Sequence, residues 1–215
     1  MKERHESPRD ARFADRIESF GDIVIGFSLA QLALSFVFPP HLTIFTLSPM
    51  LTAFGWTFAM TAWLWLLYRR IGDDYFVGGR LMTALYMLGL AGIVLLIFGV
   101  QLVMHYSLPG NGTVGDVGVA IIFYFVVLAL TLGTIGAQFA IGGRLRKASI
   151  EPEYARRGTF TTYRLIAMAV AVLIAIAFLP GRGLAATMVL LPAMLGGAVI
   201  GRLLGLFALR RSAPG

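Results

Sequence analysis

The sequence predicts an all-α integral membrane protein with six transmembrane helices and both termini cytoplasmic. Three observations predict it. Of 215 residues, 58% are hydrophobic and 13% charged, with a mean hydropathy of +0.80, whereas a soluble domain carries roughly 25% charged residues. Six apolar segments approach or exceed the roughly 20 residues needed to cross a hydrocarbon core. Lysine and arginine gather in alternate connections, and by the positive-inside rule those connections and both ends face the cytoplasm.

The elements follow in order. Residues 1–19 read as a cytoplasmic tail in which Lys2, Arg4, Arg9, Arg12 and Arg16 mix with acids through Glu18. Residues 20–207 form one six-helix membrane domain, and 208–215, with Arg210 and Arg211, a second cytoplasmic tail. The first apolar stretch, 20–38, exceeds the roughly 7 to 15 residues of a signal-peptide core, which favours a retained anchor over a cleaved leader. The next spans are 48–68, 81–104, 114–141, 160–179 and 184–207. Arg69, Arg70 and Arg80 flank the second connection, and Arg144, Arg146, Lys147, Arg156 and Arg157 the fourth. The first and third connections, 39–47 and 105–113, hold no lysine or arginine, and the fifth only Arg182.

A formal charge of +7 placed this way expresses topology and contact with anionic lipid, not a nucleic-acid site. The absence of cysteine excludes disulfides, thiol catalysis and thiolate-bound metals. Sixteen arginines against two lysines lean towards a GC-rich prokaryotic source. No internal repeat is evident, unlike the inverted-repeat plan of many secondary transporters. In the sixth span Ala193, Gly197, Gly201 and Gly205 recur every four residues, a spacing of small residues that lets helix backbones approach closely, within or between subunits. Pro192 removes a backbone donor beside that seam and is placed to kink the helix.

Several motifs point to chemistry and then lack its context. Gly110-Asn-Gly-Thr-Val-Gly115 has dinucleotide-fingerprint spacing, but it precedes a membrane span and follows no strand. Thr113-Val-Gly-Asp116 is similar to a potassium-channel carbonyl filter, yet the segment before it is too short for a re-entrant helix. Both read as a glycine-rich turn, given the Pro-Gly and Asn-Gly dipeptides. Asn111-Gly-Thr113 is a glycosylation sequon only in a secretory host. His41 and His105 share the outer side without a nearby carboxylate, His5 lies in the tail, and no metal or cofactor is implied. Trp56, Trp63 and Trp65 lie on the second span with Tyr68 at its cytoplasmic end. A membrane belt accounts for Tyr68, while Trp63 and Trp65 suit either the belt or packing beneath an inner mouth.

The first span carries the sharpest pattern. At 100° per residue, Ile23, Phe27, Gln31 and Leu34 occupy a stripe about 80° wide with Ala30 at its edge. Asp22 lies on nearly the opposite side with Glu18 and Leu29. If the stripe faces a pore, Asp22 faces protein and anchors the inner mouth; otherwise the stripe is ordinary core or lipid surface. An acid at the lip of a span is costly unless hydrated or partnered, and is a functional candidate for that reason. Arg16, Arg164, Arg202 or the polar end of the second helix could partner it.

Arg16-Ile-Glu-Ser-Phe20-Gly21-Asp22 and the apolar helix after it resemble the Arg-x-x-x-Phe-Ser-Asp signature of the transmembrane protein 175 potassium channel family, in its prokaryotic six-helix branch. Arg16, Phe20 and Asp22 match, and Gly21 replaces the serine. Trp63-Leu-Trp65-Leu-Leu-Tyr68-Arg69-Arg70 resembles that family's tryptophan-bearing second helix, with Tyr68 and Arg69 near the usual histidines. Length and span number match throughout, specific residues only in the first two spans. The resemblance implies a potassium-permeable cation channel in the cell membrane without a pore-loop filter, assembled as a homotetramer around its first helices. The family's constricting aliphatic position falls on Phe27, and its outer threonine on Ala30. A ring of Ile23, Phe27 and Leu34 would close such a pore by dewetting, and rotation or tilt of the first helix would widen it. Gln31 would offer hydration-like contacts, and Arg16 would snorkel towards headgroups. Two other readings are a small secondary transporter using Asp22 or Asp116, and a non-conducting membrane scaffold. An intramembrane enzyme lacks a nucleophile-base or metal cluster.

Overall fold

The computed structural model of the chain describes residues 8–34, 44–76, 79–107, 111–145, 152–177 and 187–211. His5, His41, Gly110, Arg146, Lys147 and Arg182 lie outside the described residues, as do residues 35–38 and 178–186 at the ends of expected spans. The side chains of Glu18, Arg210 and Arg211 lie outside them as well.

The described chain is all helical: α1 (Pro8–Leu34), α2 (Ile44–Arg70), a π-helical turn (Ile71–Tyr75), α3 (Arg80–Ser107), α4 (Val114–Leu145), α5 (Pro152–Ile176) and α6 (Thr187–Arg211). Proline opens α1 and α5 because its missing N–H is one of those a helix start leaves unpaired in any case. Helix α1 therefore begins well before the apolar stretch at residue 20, and Asp22 sits within a continuous helix rather than at its mouth.

The start of α4 engages the described part of the glycine-rich segment. Thr113 N and Oγ1 both donate to Asp116 Oδ2 at 2.8 Å, and Asp116 N donates back to Thr113 Oγ1 at 3.3 Å. This reciprocal pair is a capping box, which satisfies donors that the first helical turn cannot. Thr113 and Asp116 are thus engaged in starting a helix. Helix α6 runs on through Pro192.

Helices α3, α4, α5 and α6 pack each on the next, and α1 rests on α3 and α2. Phe125, Leu128, Leu132, Ile135 and Phe139, three or four residues apart on α4, are fully buried and give that helix a continuous core face. The small-residue seam of α6 faces α5 within the chain. A Cβ on Gly197 would lie 2.7 Å from Met168 Cα, and one on Gly201 2.5 Å from Arg164 Cα. Only glycine lets the two backbones approach that closely.

By length and composition α3, α4, Ala155–Ile176 of α5 and Met188–Leu209 of α6 can cross a membrane, and Ser19–Leu34 is a shorter apolar helix. Apolar side chains cover the outside too, among them Leu130 on α4, Val170 on α5, and Val199 and Leu203 on α6. That exposure is the composition of a multi-pass membrane protein, whose outer surface meets acyl chains rather than water.

Candidate functional site

Helix α1 packs through Gly21, Ile25, Ser28 and Leu32, all buried. At 100° per residue these form one face, and the stripe of Ile23, Phe27, Ala30, Gln31 and Leu34 lies opposite it. All five stripe residues are exposed, Phe27 at 70% and Leu34 at 83%. The chain's own helices leave this stripe uncovered. Gln31 places an amide on it three residues before the end of α1.

Asp22 departs from the angular expectation. It stands at the flank of the packed face and is exposed, yet it is held to α2: the Trp65 indole N–H donates to Asp22 Oδ1 at 2.7 Å. Arg69 lies over the same indole, its Cζ 5.9 Å from the ring centroid. A cation above the ring draws on its π density and polarises the N–H towards the carboxylate, so one tryptophan couples an acid on α1 to a base on α2. Among the partners the sequence offered Asp22, the polar end of the second helix is the one the structure supplies. Arg16 is exposed, and Phe20 is half-exposed near the same end of α1.

A buried knot underlies this contact. A Cβ on Gly21 would meet the Tyr86 hydroxyl of α3 at 3.0 Å, so a residue as small as glycine seats α1 against Tyr86 without displacing it. Tyr86 packs edge-to-face on Tyr68 of α2 with centroids 5.0 Å apart, and the Tyr68 hydroxyl donates to Tyr86 O at 3.4 Å. Gln138 of α4, fully buried, donates from Nε2 to Leu85 O at 3.2 Å and approaches the Tyr68 hydroxyl at 3.5 Å. Four helices meet through these side chains. Tyr68 is 1% exposed and belongs to this knot, not to a membrane belt.

Trp63 and Trp65 are half-buried and pack against the core, and Trp56 hydrogen-bonds the Tyr124 hydroxyl. All three tryptophans thus have contacts within the chain. His105 is exposed and edge-on to Tyr106 at 5.2 Å, and the described residues hold no metal-binding group of histidines and acids. Gln138 and Tyr86 were missed in the sequence, although a lone glutamine inside an apolar helix is itself a signal, because a buried amide must find partners.

Comparison of the chain with family models, curated proteins and solved structures finds no match.

Proposed function

We propose that this chain is one subunit of a cation channel, potassium-permeable and without a pore-loop filter, whose first helix lines the conduit. The observation that carries the reading is the α1 stripe, apolar except for Gln31 and turned away from the chain's own bundle. The interior of the bundle supports it, since Phe125, Leu128, Leu132, Ile135 and Phe139 fill the space around α4. A conduit then belongs between chains, where four copies of α1 would bring four stripes to one axis. In this arrangement all six helices span the membrane with both termini cytoplasmic, as the lysine and arginine distribution requires.

The mechanism follows from the stripe. Rings of Ile23 and Phe27 are too apolar to hold a water column at small radius and close the path by dewetting. The bond from Trp65 to Asp22, with Arg69 behind it, ties the inner half of α1 to α2. A tilt of α1 about that tie moves Phe27 from the axis and wets the path.

Ion flux into proteoliposomes of the purified protein, with potassium, sodium and proton gradients imposed separately, tests the reading. Passive potassium flux down its gradient is expected. Saturable movement coupled to protons or solute would indicate a transporter, and silence under every gradient a scaffold.

A further inference from the structure

A second feature lies away from α1, between α5 and α6. An open cavity of about 360 Å³ is lined by Arg156, Phe160, Thr161, Arg164, Arg202 and Leu206. Among the described residues three guanidinium groups line it and no carboxylate does. Arg164 is half-buried, and its Nε is buried without a hydrogen-bond partner among the described residues. Arg70 and Arg202 are near enough to act on it electrostatically, and both carry its own sign. Like charges gathered in a partly desolvated site oppose folding unless an anion joins them.

Its depth identifies the anion. Arg164 lies four residues into the span read as 160–179, and Arg202 five before the end of the one read as 184–207. At 1.5 Å per residue both lie roughly 6 to 8 Å from those span ends, within reach of a headgroup layer by snorkelling. Phe160, over whose ring the Arg156 Cζ stands at 5.8 Å, and Leu206 supply apolar walls beside the charges. Guanidinium forks match phosphate oxygens two at a time, and an apolar wall next to them suits an acyl chain.

We propose that this cavity binds the phosphate of an anionic phospholipid, with the fatty chain along Phe160 and Leu206. The lipid neutralises Arg164 and Arg202 and fastens α5 to α6. This site stands independently of the channel reading, since it needs only a membrane with anionic lipid.

Native mass spectrometry of the detergent-solubilised protein with added phosphatidylglycerol or phosphatidylcholine, paired with thermal unfolding, tests it. Phosphatidylglycerol is expected to be retained about tenfold more strongly than phosphatidylcholine and to raise the unfolding temperature. Arg202→Gln, at an exposed position, and Arg164→Gln should each reduce that preference about tenfold. Without anionic lipid both variants should be as stable as the parent or more so, because a repelling charge is gone; a purely structural arginine would show the reverse. Arg144→Gln, exposed on α4 and outside the cavity, should keep the preference. An unchanged preference in Arg164→Gln and Arg202→Gln, or an equal loss in Arg144→Gln, would overturn the site. Saturation by glycerophosphate at the same concentration as the lipid would overturn the lipid assignment in favour of a free phosphate ion.

Discussion

Phe27 and Leu29 stand two residues apart on one helix and face different surroundings. Phe27 is 70% exposed, whereas Leu29 is half-buried and packs against the core. Phe27→Ala should raise cation flux about tenfold, equivalent to about 1.4 kcal/mol off the barrier. Leu29→Ala should leave flux near the parent value and cost roughly 1 to 2 kcal/mol of stability, below the range for a fully buried leucine. Equal flux changes at the two positions would show that the stripe does not line the path. The Asp22 contact is tested by a double-mutant cycle. Trp65→Phe removes the donor while keeping a ring beneath Arg69, and Asp22→Asn removes the charge. The two should be non-additive by about 1 kcal/mol in thermal stability, as expected of hydrogen-bonded neighbours. Simple addition would mean that the bond contributes nothing. If Asp22→Asn changes ion selectivity alone, with stability and assembly intact, this carboxylate faces the ion and not α2.

Between elements, backbone approach governs packing where α6 meets α5. Gly201→Val should destabilise the protein by about 1 to 3 kcal/mol through overpacking against Arg164 and Tyr163. Gly196→Val, at a position with nothing within 4 Å of a new Cβ, should be tolerated in thermal unfolding. Comparable losses at both would refute the seam. This interface was legible in the sequence because small residues every four positions leave a periodic trace. So was the existence of six helices, from runs of apolar residues. Helix starts were less legible: α1 and α5 extend into polar sequence at Pro8 and Pro152, where capping and proline geometry prevail over hydropathy. The knot of Gly21, Tyr68, Tyr86 and Gln138 left little trace, because it joins single residues from four helices and has no period. Asp22 was legible as an acid needing a partner, but the choice of Trp65 depended on the mutual placement of α1 and α2.

At the scale of the whole molecule, charge placement sets the expected orientation and the family resemblance the expected assembly, and both are measurable. Because the sequence has no cysteine, an Asn111→Cys variant should be labelled from outside the cell and an Ala148→Cys variant should not. Outside labelling of the latter would reverse the topology. Native mass measurement in detergent should give a tetramer, and a monomer that still conducts would remove the shared axis. The proposed channel requires that the α1 stripe line a cation path. Its most direct test is potassium flux into proteoliposomes carrying the Phe27→Cys or Leu203→Cys variant, before and after a water-soluble cationic thiol reagent; Leu203 is exposed on α6. Modification at position 27 should suppress potassium flux severalfold, and modification at position 203 should leave it unchanged. Equal responses at the two positions, or flux indifferent to both, would contradict the proposed channel.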